Sequence, residues 1–486
     1  MDQSEACEGG RSGSGRAGRP TAIACLLALA PLLGACFVDT EKPELALDVP
    51  RQYKEGRGSA EQGPGLDWWR GFRSGELTVL MEEAQTSNLD IAAAVARIMQ
   101  ADAQARISGS ALLPSLSGAG SATRTRTAGA STSSGVSSER SSYTTYLTAS
   151  YELDFWGRNR ATLLAAQESA VATRFDRDTV ALTAMANVAT YYFQLLAAQD
   201  RLRIGRDNLA ASSRILALIK ERFAAGTANS LDVSQQESLV ATVRANLPAY
   251  EITIRQNAAY LAVLVGRTPE HFAVKGGTLD KVAVPRIPIG LPSDLINQRP
   301  DIRAAEASLV SANHSVEAAR ASFFPTIGLT AQNGVQSAAL SSLFGPGAWF
   351  YTATASLTQP IFDGGNLQGQ LEQTQGRQLE LLQTYRQAVI NGFADVERAL
   401  VSLHQQTERE RLQAVAVRTA REAFQISESR LREGIVDYVT VLNTQQTLFT
   451  AQDTLVQVRL ARMLAAVSLF QALGGGWPPR IGGNPA

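Results

Sequence analysis

The two halves of the sequence repeat one another, with matching landmarks about 210 residues apart. Asp90-Ile91 opens a predicted helix that leads to Leu113-Pro114, and Asp301-Ile302 opens one that leads to Phe324-Pro325. Two further pairs of segments match at nearly the same distance: 154–159 with 361–366, and 222–226 with 430–434. Self-similarity on this scale predicts two copies of one folding unit, with the length differences confined to loops.

Each unit contains stretches in which polar and apolar residues alternate, the pattern of a β-strand with one apolar face. In the first unit this pattern runs from Tyr143 to Phe155, after a Ser-, Thr- and Gly-rich stretch; in the second it covers 326–332 and 351–358, around a Gly-Pro-Gly turn. Strands of about 10 to 13 residues suit a tilted membrane crossing, although a soluble sandwich has the same alternation. Four strands per chain cannot close a barrel when bacterial barrels begin at about eight, so several chains would have to contribute.

Two segments without proline, 157–226 and 365–434, predict very long helices. About 68 residues at about 1.5 Å each extend on the order of 100 Å, which no single globular core requires. In the first helix, apolar residues follow the heptad spacing of a coiled coil: Leu164, Val171, Phe175, Leu182, Met185, Ala189, Tyr192 and Leu196.

Each long helix is predicted to end at a glycine, Gly226 or Gly434, since glycine is the usual left-handed cap. A second helical run then returns over 231–266 or 439–474. Shorter helices before the strands can stack on the returning helices to complete a second column; they are predicted over 76–108 and 294–321.

The N-terminus has the plan of a secretory signal peptide over residues 1–35. Three arginines precede the apolar run 21–35, which is too short to span a bilayer as a helix. The sequence Leu-Gly-Ala before Cys36 resembles a lipobox, so Cys36 is expected to carry a diacylglycerol and an N-acyl chain such as palmitate. Phe37, rather than aspartate, follows it, which implies sorting to the outer membrane.

Composition argues against several classes of function. Lys plus Arg equals Asp plus Glu at 45 each, so no net charge favours nucleic acid. All three cysteines lie within the first 36 residues, and His271, His314 and His404 are far apart, so neither a metal cluster nor thiol chemistry is expected in the body of the chain. With no nucleophile pattern or phosphate-binding loop either, the chain is predicted not to be an enzyme and to need no cofactor beyond the lipid on Cys36.

The plan resembles the outer-membrane factor family, the TolC-like channels, and within it the lipoprotein branch that serves resistance-nodulation-division efflux pumps. Five segments carry the resemblance, in order along the chain: 67–72 (DWWRGF), 152–158 (ELDFWGR), 291–295 (LPSDL), 299–303 (RPDIR) and 359–365 (QPIFDGG). The resemblance implies a mainly helical fold with a small β part. Three copies would form one 12-stranded transmembrane β-barrel, and their helices would continue it as a periplasmic tunnel.

The same resemblance implies partners and a gate. A periplasmic adaptor protein would contact the helix turns at Gly226 and Gly434, and an inner-membrane pump would supply energy to an otherwise passive duct. The segment 438–446 resembles a family stretch whose Leu, Asp and Arg surround the closed gate in some members; these map onto Val439, Asn443 and Gln446. Because both charged residues are absent, we expect a gate held by apolar contact and amide hydrogen bonds.

The predicted organisation is a signal peptide (1–35), a lipid-anchored extension (36–66), a first repeat (67–267), a linker along the outside (268–292), a second repeat (293–474) and a tail (475–486). The predicted function is the exit duct of a tripartite efflux pump in the outer membrane, for drugs or other small toxic compounds. Three alternatives remain: metal-ion efflux, type I protein secretion, and a rod-like lipoprotein that bridges layers without forming a channel.

Overall fold

The computed structural model describes residues 50, 52–54, 65–128 and 136–475. The predicted signal peptide, Cys36, most of the 36–66 extension and nearly all of the tail lie outside the described residues. A short 3-10 helix, Trp68–Phe72, leads into the first repeat. The first repeat contains the helices α1 (Gly75–Ser87), α2 (Leu89–Ser110), α3 (Arg158–Ala224) and α4 (Ser230–Leu264), with the strands β1 (Ser115–Thr127) and β2 (Ser138–Leu153) between α2 and α3.

The second repeat has the same order of elements, and all of its helices except the first match those of the first repeat in length. Its elements are α5 (Pro292–Gln298), α6 (Pro300–Ala321), β3 (Thr326–Ser337), β4 (Trp349–Thr358), α7 (Asn366–Arg432) and α8 (Tyr438–Ala472). The long helices α3 and α7 have 67 residues each, the returning helices α4 and α8 have 35 each, and α2 and α6 have 22 each. The predicted duplication and the predicted fold class, mainly helical with a small sheet, are therefore confirmed.

The short helices differ from the prediction, because each is interrupted near its start. The predicted helix 76–108 breaks at Asn88, whose side-chain oxygen accepts hydrogen bonds from the backbone N–H groups of Asp90 and Ile91 and so begins a new helix. The predicted helix 294–321 breaks at Arg299, because the following Pro300 excludes the helical conformation from the residue before it.

An aspartate caps the start of each long helix, shortly after the preceding strand ends. The Asp154 carboxylate accepts the backbone N–H groups of Asn159 and Arg160 at 2.9 and 2.8 Å, and that of Asp363 accepts those of Gly365 and Leu367 at 3.0 and 2.8 Å. These groups have no partner inside the helix, and a carboxylate also interacts favourably with the positive end of the helix dipole. The strand-to-helix turn is therefore encoded locally in both repeats.

The returning helices stack end to end on the short helices, as predicted. The Asn88 side-chain amide donates to the Leu264 carbonyl at 2.8 Å, which joins α4 to α2. In the second repeat the Arg299 guanidinium donates to the Ala472 carbonyl at 3.3 Å, which joins α8 to α6. Each pair thereby forms a second column alongside α3 or α7.

The main hydrophobic core surrounds these junctions at mid-height of the helices. The Trp68 ring stacks on Phe470 with centroids 4.8 Å apart, and Phe72 lies between Phe193 and Phe470. The helices α3 and α8 each contain a stretch apolar enough to cross a bilayer, but about half of each stretch is buried inside the chain, as expected of core helices.

The linker between the repeats packs on this core at several points. Leu279 is buried, and the Asp200 carboxylate on α3 accepts hydrogen bonds from the backbone of Leu279 and the hydroxyl of Thr278. Glu76 accepts the backbone N–H groups of Lys275 and Gly276. The linker is thus fixed to the helices by buried and charge-assisted hydrogen bonds.

Candidate channel surfaces and gate

The four strands form one antiparallel sheet in the order β1-β2-β3-β4. Its register aligns side chains across all four strands, because directly paired residues point to the same face. One row joins Leu153, Ile327 and Leu357, and another joins Thr145, Val335 and Trp349. The face that contains these rows is mainly apolar: Leu116, Leu147, Ala149, Tyr151, Leu153, Ile327, Leu329, Ala331, Val335, Trp349, Tyr351, Ala353, Ala355 and Leu357.

The apolar face has the height of a bilayer. About ten residues separate the row of Leu153 from the row of Tyr143, and about 3.3 Å per residue at a strand tilt of about 40° gives a band of roughly 25 Å. Trp349, Tyr351 and Tyr143 lie at its upper edge, far from the helices, with the Trp349 and Tyr351 rings 5.4 Å apart. Aromatic residues at the edge of an apolar band are typical of a membrane interface.

The opposite face of the sheet is polar. It bears mainly hydroxyl and amide side chains: Ser115, Ser117, Thr123, Thr144, Thr148, Ser150, Thr330, Gln332, Gln336, Thr352, Thr354 and Ser356. Tyr146 and Phe350 are its exceptions and pack edge to face across Gly334, with ring centroids 6.5 Å apart. No other layer of the described chain covers either face, and β1 and β4 each have a strand neighbour on one side only.

The helix turns at the far end of the molecule have the same backbone in both repeats. Gly226 and Gly434 adopt left-handed conformations, with φ of 73° and 76°. The residue after each glycine donates its backbone N–H to the helix, Thr227 to Arg222 at 2.8 Å and Ile435 to Arg430 at 2.9 Å, which is the Schellman motif.

The two turns differ in their side chains. The first carries exposed apolar residues, Phe223 and Leu231, and no charged residue lies between them. The second carries the exposed Ile435 together with Arg432 and Glu433. The two turns therefore offer a docking protein the same backbone but different chemistry.

The predicted gate residues share one face of α8. Val439, Asn443 and Gln446 follow a spacing of four and then three residues, so they lie in one stripe, and all three are exposed. The other face of the same turns is buried, through Tyr438, Val441, Gln445 and Leu448. The three residues thus face away from the neighbouring helices of their own chain.

A buried polar network lies directly behind this stripe. Gln236 on α4 and Gln445 on α8 are both 0% exposed. The Gln236 amide donates to the Ser212 carbonyl on α3 at 2.8 Å, and its oxygen accepts the Tyr438 hydroxyl at 2.9 Å. Weaker contacts of 3.4 Å join Gln445 to Gln236 and to the Ser212 hydroxyl. The network connects α3, α4 and α8.

Sequence reasoning missed this network. Gln236 lies ten residues beyond Gly226, and Gln445 lies eleven residues beyond Gly434, so the two glutamines differ by one position in the duplicated helices. A glutamine at about the same place in both repeats is a weak signal in the sequence. Their burial against one another, however, depends on how the two helix pairs pack.

Two groups beside the gate stripe have shifted pKa values. Burial, together with the charge of Asp232, raises the pKa of Tyr438 to about 12. Hydrogen bonds from the Thr440 hydroxyl and backbone lower the pKa of Asp437, which caps the start of α8. Both shifts favour the protonation states that hold α8 in place at neutral pH.

The histidines have local roles in the structure. His271 contacts the Thr268 hydroxyl at 3.1 Å, and His314 contacts Glu317 at 2.9 Å. Over residues 65–128 and 136–475, no group of three His, Cys, Asp or Glu side chains is arranged to hold a metal ion.

Known proteins resemble this chain over nearly its whole length. The pyoverdine export outer membrane protein OpmQ of Pseudomonas aeruginosa is 39% identical over 460 residues, which are 93% of this chain and 96% of the relative. The solvent efflux pump outer membrane protein SrpC of Pseudomonas putida is 31% identical and covers 92% of this chain and 96% of its own length. Both relatives are outer-membrane proteins of efflux or export systems rather than enzymes.

The fold is that of solved outer-membrane channels. The crystal structure of the open state of the Neisseria gonorrhoeae MtrE outer membrane channel superposes with a TM-score of 0.79 at 28% identity, covering 90% of this chain and 98% of that chain. The family described as outer membrane efflux protein matches residues 80–267 and 291–475, one match in each repeat. The apolar band, the long helix pairs and these two matches agree, and the chain belongs to the outer membrane efflux protein family.

Proposed function

We propose that three copies of this chain form the outer-membrane duct of a tripartite efflux pump, which passively releases small organic compounds. In this proposal the twelve strands of the trimer close one barrel, and the helices continue it as a tunnel into the periplasm. A periplasmic adaptor and an inner-membrane pump of the resistance-nodulation-division type complete the assembly, and the lipidated Cys36 anchors the chain in the outer membrane.

The two-faced sheet is the observation that carries the proposal. Its apolar face is about as tall as a membrane barrel requires, and its polar face suits a water-filled lumen. An open four-stranded sheet would leave the free edges of β1 and β4 without hydrogen-bond partners in the lipid, where each unpaired group costs several kcal/mol. Pairing β1 of one copy with β4 of the next satisfies both edges and closes the barrel.

The helices support a tunnel that reaches well below the membrane. Their 67 residues extend about 100 Å. The caps at Asp154 and Asp363 join barrel to helix through connections of four and seven residues. The turns at Gly226 and Gly434 lie at the opposite end from the membrane, so they are the surface that an adaptor would meet.

Small organic compounds fit better than metal ions as the exported material. Soft metal ions are selected by thioether or thiolate ligands, but of the methionines in the described residues Met81, Met185 and Met463 are buried and Met99 alone is exposed. OpmQ is named for export of pyoverdine, so compounds of that kind are the first to test. Type I protein secretion and a bridging rod without a pore remain the competing functions.

Closure at the gate would come from three copies of the exposed stripe Val439, Asn443 and Gln446 meeting at the three-fold axis. Apolar contact and amide hydrogen bonds between copies would hold it closed. An adaptor docked at the turns would shift the population toward the open state.

Single-channel conductance of the purified mature protein in a planar bilayer tests the proposal. We expect trimeric pores that are mostly closed. Asn443→Asp combined with Gln446→Arg should shorten the open time further, because it introduces opposite charges that can pair across the axis. The matched control is Asn391→Asp with Gln387→Arg, an amide pair on α7 one helical turn apart and away from the gate.

Three results would count against parts of the proposal. Equal open times in the gate and control variants would contradict the assignment of the gate, but they would remain consistent with a channel. A protein that folds but forms no pore would favour the bridging rod. Export of a protein substrate, with no change in sensitivity to small compounds when the gene is deleted, would favour type I secretion.

A further inference from the structure

Two arginines on the apolar face of the sheet lie beyond its aromatic edge. Arg124 and Arg126 are on β1, paired with Ser141 and Glu139 of β2. They are two and four residues beyond Ala122, which is paired with Tyr143. Because alternate residues of a strand share a face, both side chains are on the same side as Tyr143 and Trp349.

The depth of these arginines matches a headgroup layer. Two to four residues at about 3.3 Å, with a strand tilt of about 40°, put them roughly 5 to 10 Å above the row of Tyr143. A bilayer of about 30 Å of hydrocarbon is about 40 to 45 Å thick with its headgroups, so this is the depth at which the headgroups of the outer leaflet lie.

The ion pairs of the described residues leave the charge of this cluster unbalanced. Glu139 accepts from Arg124 at 2.8 Å and is 3.9 Å from Arg126, so two guanidinium groups share one carboxylate. The two arginine side chains are 76% and 71% exposed. Ion pairs this exposed contribute about 0 to 1 kcal/mol to stability, so the stability of the sheet does not account for the second arginine.

We propose that Arg124 and Arg126 bind phosphate groups of the phosphorylated glycolipid, lipid A, in the outer leaflet around the barrel. Guanidinium groups form paired, charge-assisted hydrogen bonds with phosphate. Acyl chains of the same lipid would contact the apolar band below, from Ala122 towards Leu116 on β1. This site rests on the proposed barrel, because only a barrel directs this face to lipid.

The polar face offers a matched control residue. Arg140 is paired with Thr125, between the levels of Arg124 and Arg126, but its side chain is on the opposite face of the sheet. A change at Arg140 removes the same charge at the same height, and it faces the lumen rather than the lipid.

Native mass spectrometry of the detergent-solubilised trimer, titrated with bis-phosphorylated lipid A, tests the site. We expect Arg124→Ser with Arg126→Ser to weaken lipid A binding by about tenfold or more, since charge-assisted hydrogen bonds are lost. Arg140→Ser should leave binding unchanged. Glu139→Gln should strengthen it about threefold, because it releases both guanidinium groups from the competing carboxylate.

Two further binding measurements identify the ligand. Dephosphorylated lipid A should bind the native protein as weakly as lipid A binds the double variant, and inorganic phosphate should not compete at concentrations where lipid A saturates. Equal binding of the two lipids, or full competition by inorganic phosphate, would overturn the proposal. Equal loss of binding in Arg140→Ser and in the double variant would overturn it too, because it would reduce the effect to overall charge.

A separate readout distinguishes this proposal from the proposed function. Trimer formation should be the same in native protein and all three variants, since each change is at an exposed side chain. Pore conductance should also be unchanged in Arg124→Ser with Arg126→Ser and in Glu139→Gln, whose side chains face away from the lumen. A native chain that forms no trimer or pore would defeat the channel proposal itself. Normal pores with no phosphate-dependent lipid binding would defeat only the lipid site.

Discussion

The two ends of the returning helices α4 and α8 make an informative comparison. Four glycines with φ between 71° and 84° end helices in the two repeats: Gly226 and Gly434 at the turns, Gly266 and Gly474 at the junctions. At Gly226 an added Cβ would meet nothing within 4 Å, and at Gly434 only the tip of Arg222. At Gly266 it would lie 2.4 Å from the Ser87 carbonyl oxygen, and at Gly474 2.5 Å from that of Gln298.

The same local signal therefore has two tertiary roles. At the turns, glycine is needed only because the backbone is left-handed. At the junctions it is also needed because the backbone at the end of α1 or α5, at Ser87 or Gln298, lies against it. A glycine therefore marks the end of a helix in both places. Only the packing around it shows whether the chain turns there or the helix stacks on another.

Replacing the junction glycines should have the largest effect on stability. Gly266→Ala and Gly474→Ala should each destabilise the protein by about 3 kcal/mol, through a strained left-handed residue and a clash with rigid backbone. Gly226→Ala and Gly434→Ala should cost only about 1 kcal/mol each. Thermal melting followed by far-UV circular dichroism measures the difference.

Gly369, inside α7 and with open space around its Cβ position, is the control for this series. Gly369→Ala should raise the melting temperature slightly, because alanine is favoured over glycine by about 0.5 to 1 kcal/mol inside a helix. Equal losses at all four helix ends would mean that the junctions are not close-packed.

The two junctions should also respond differently from each other. Arg299 is 11% exposed and bonds to Asp301, Asp395 and the Ala472 carbonyl. Arg299→Met should cost about 2 to 3 kcal/mol, because it removes the charge-assisted hydrogen bonds to Asp301 and leaves Asp395 with Arg398 alone. Asn88→Ala should cost about 1 to 2 kcal/mol, as expected for a lost helix cap and one hydrogen bond.

Chemical denaturation of these two variants, compared at low and at high salt concentration, sharpens the assignment. Salt screens the partly exposed ion pairs of Arg299, so the Arg299→Met penalty should shrink while that of Asn88→Ala persists. A penalty at Arg299 that is independent of salt would assign its role to packing alone.

The buried network at the turn end should affect the gate more than the fold. Gln236→Leu removes the hydrogen bond to the Ser212 carbonyl and leaves the Tyr438 hydroxyl without its acceptor, which should cost about 2 kcal/mol. It should also raise the open probability in single-channel recordings, because it loosens α8 directly behind Val439. Gln413→Leu, which removes an α7–α8 hydrogen bond away from the gate, is the control. An unchanged open probability in Gln236→Leu would make the network purely structural.

The smallest expected effect is a dependence on alkaline pH. The pKa of Tyr438 is raised from 10.0 to about 12 in the folded protein, so the neutral form is favoured there. Its contribution is fully present below pH 10 and is lost as pH rises through 12. The difference in melting temperature between the native protein and Tyr438→Phe should therefore shrink across that range. A constant difference would contradict the burial of the Tyr438 hydroxyl beside Asp232.

Local sequence was sufficient for most of the fold. The lengths of α3 and α7, their glycine ends and their aspartate starts follow from residues within a few positions of each feature. The alternation in β2, β3 and β4 predicted their faces correctly. β1 was less visible, because its Ser, Thr, Gly and Ala residues from Ser115 to Thr123 give little contrast between faces. Its pairing with β2 reveals which side is which.

The candidate site likewise contains some residues that the sequence predicted and others that it did not. Val439, Asn443 and Gln446 were predicted from a resemblance, and helical spacing alone assigns them to one stripe. Cys36 is outside the described residues and stays a prediction. Gln236, Gln445 and Ser212 could not be predicted as a network, because their separations in sequence are long and nothing local marks a buried amide.

The sequence by itself determined the duplicated unit, its long helices and the alternating strands, since each depends on periodicity and on caps within one or two turns. Only the tertiary structure decided which glycines tolerate a side chain, which carboxylates pair with Arg299, and which polar residues behind the predicted gate stripe are buried. Those features depend on the distance between segments that are far apart in the chain, and a periodic pattern carries no information about that distance.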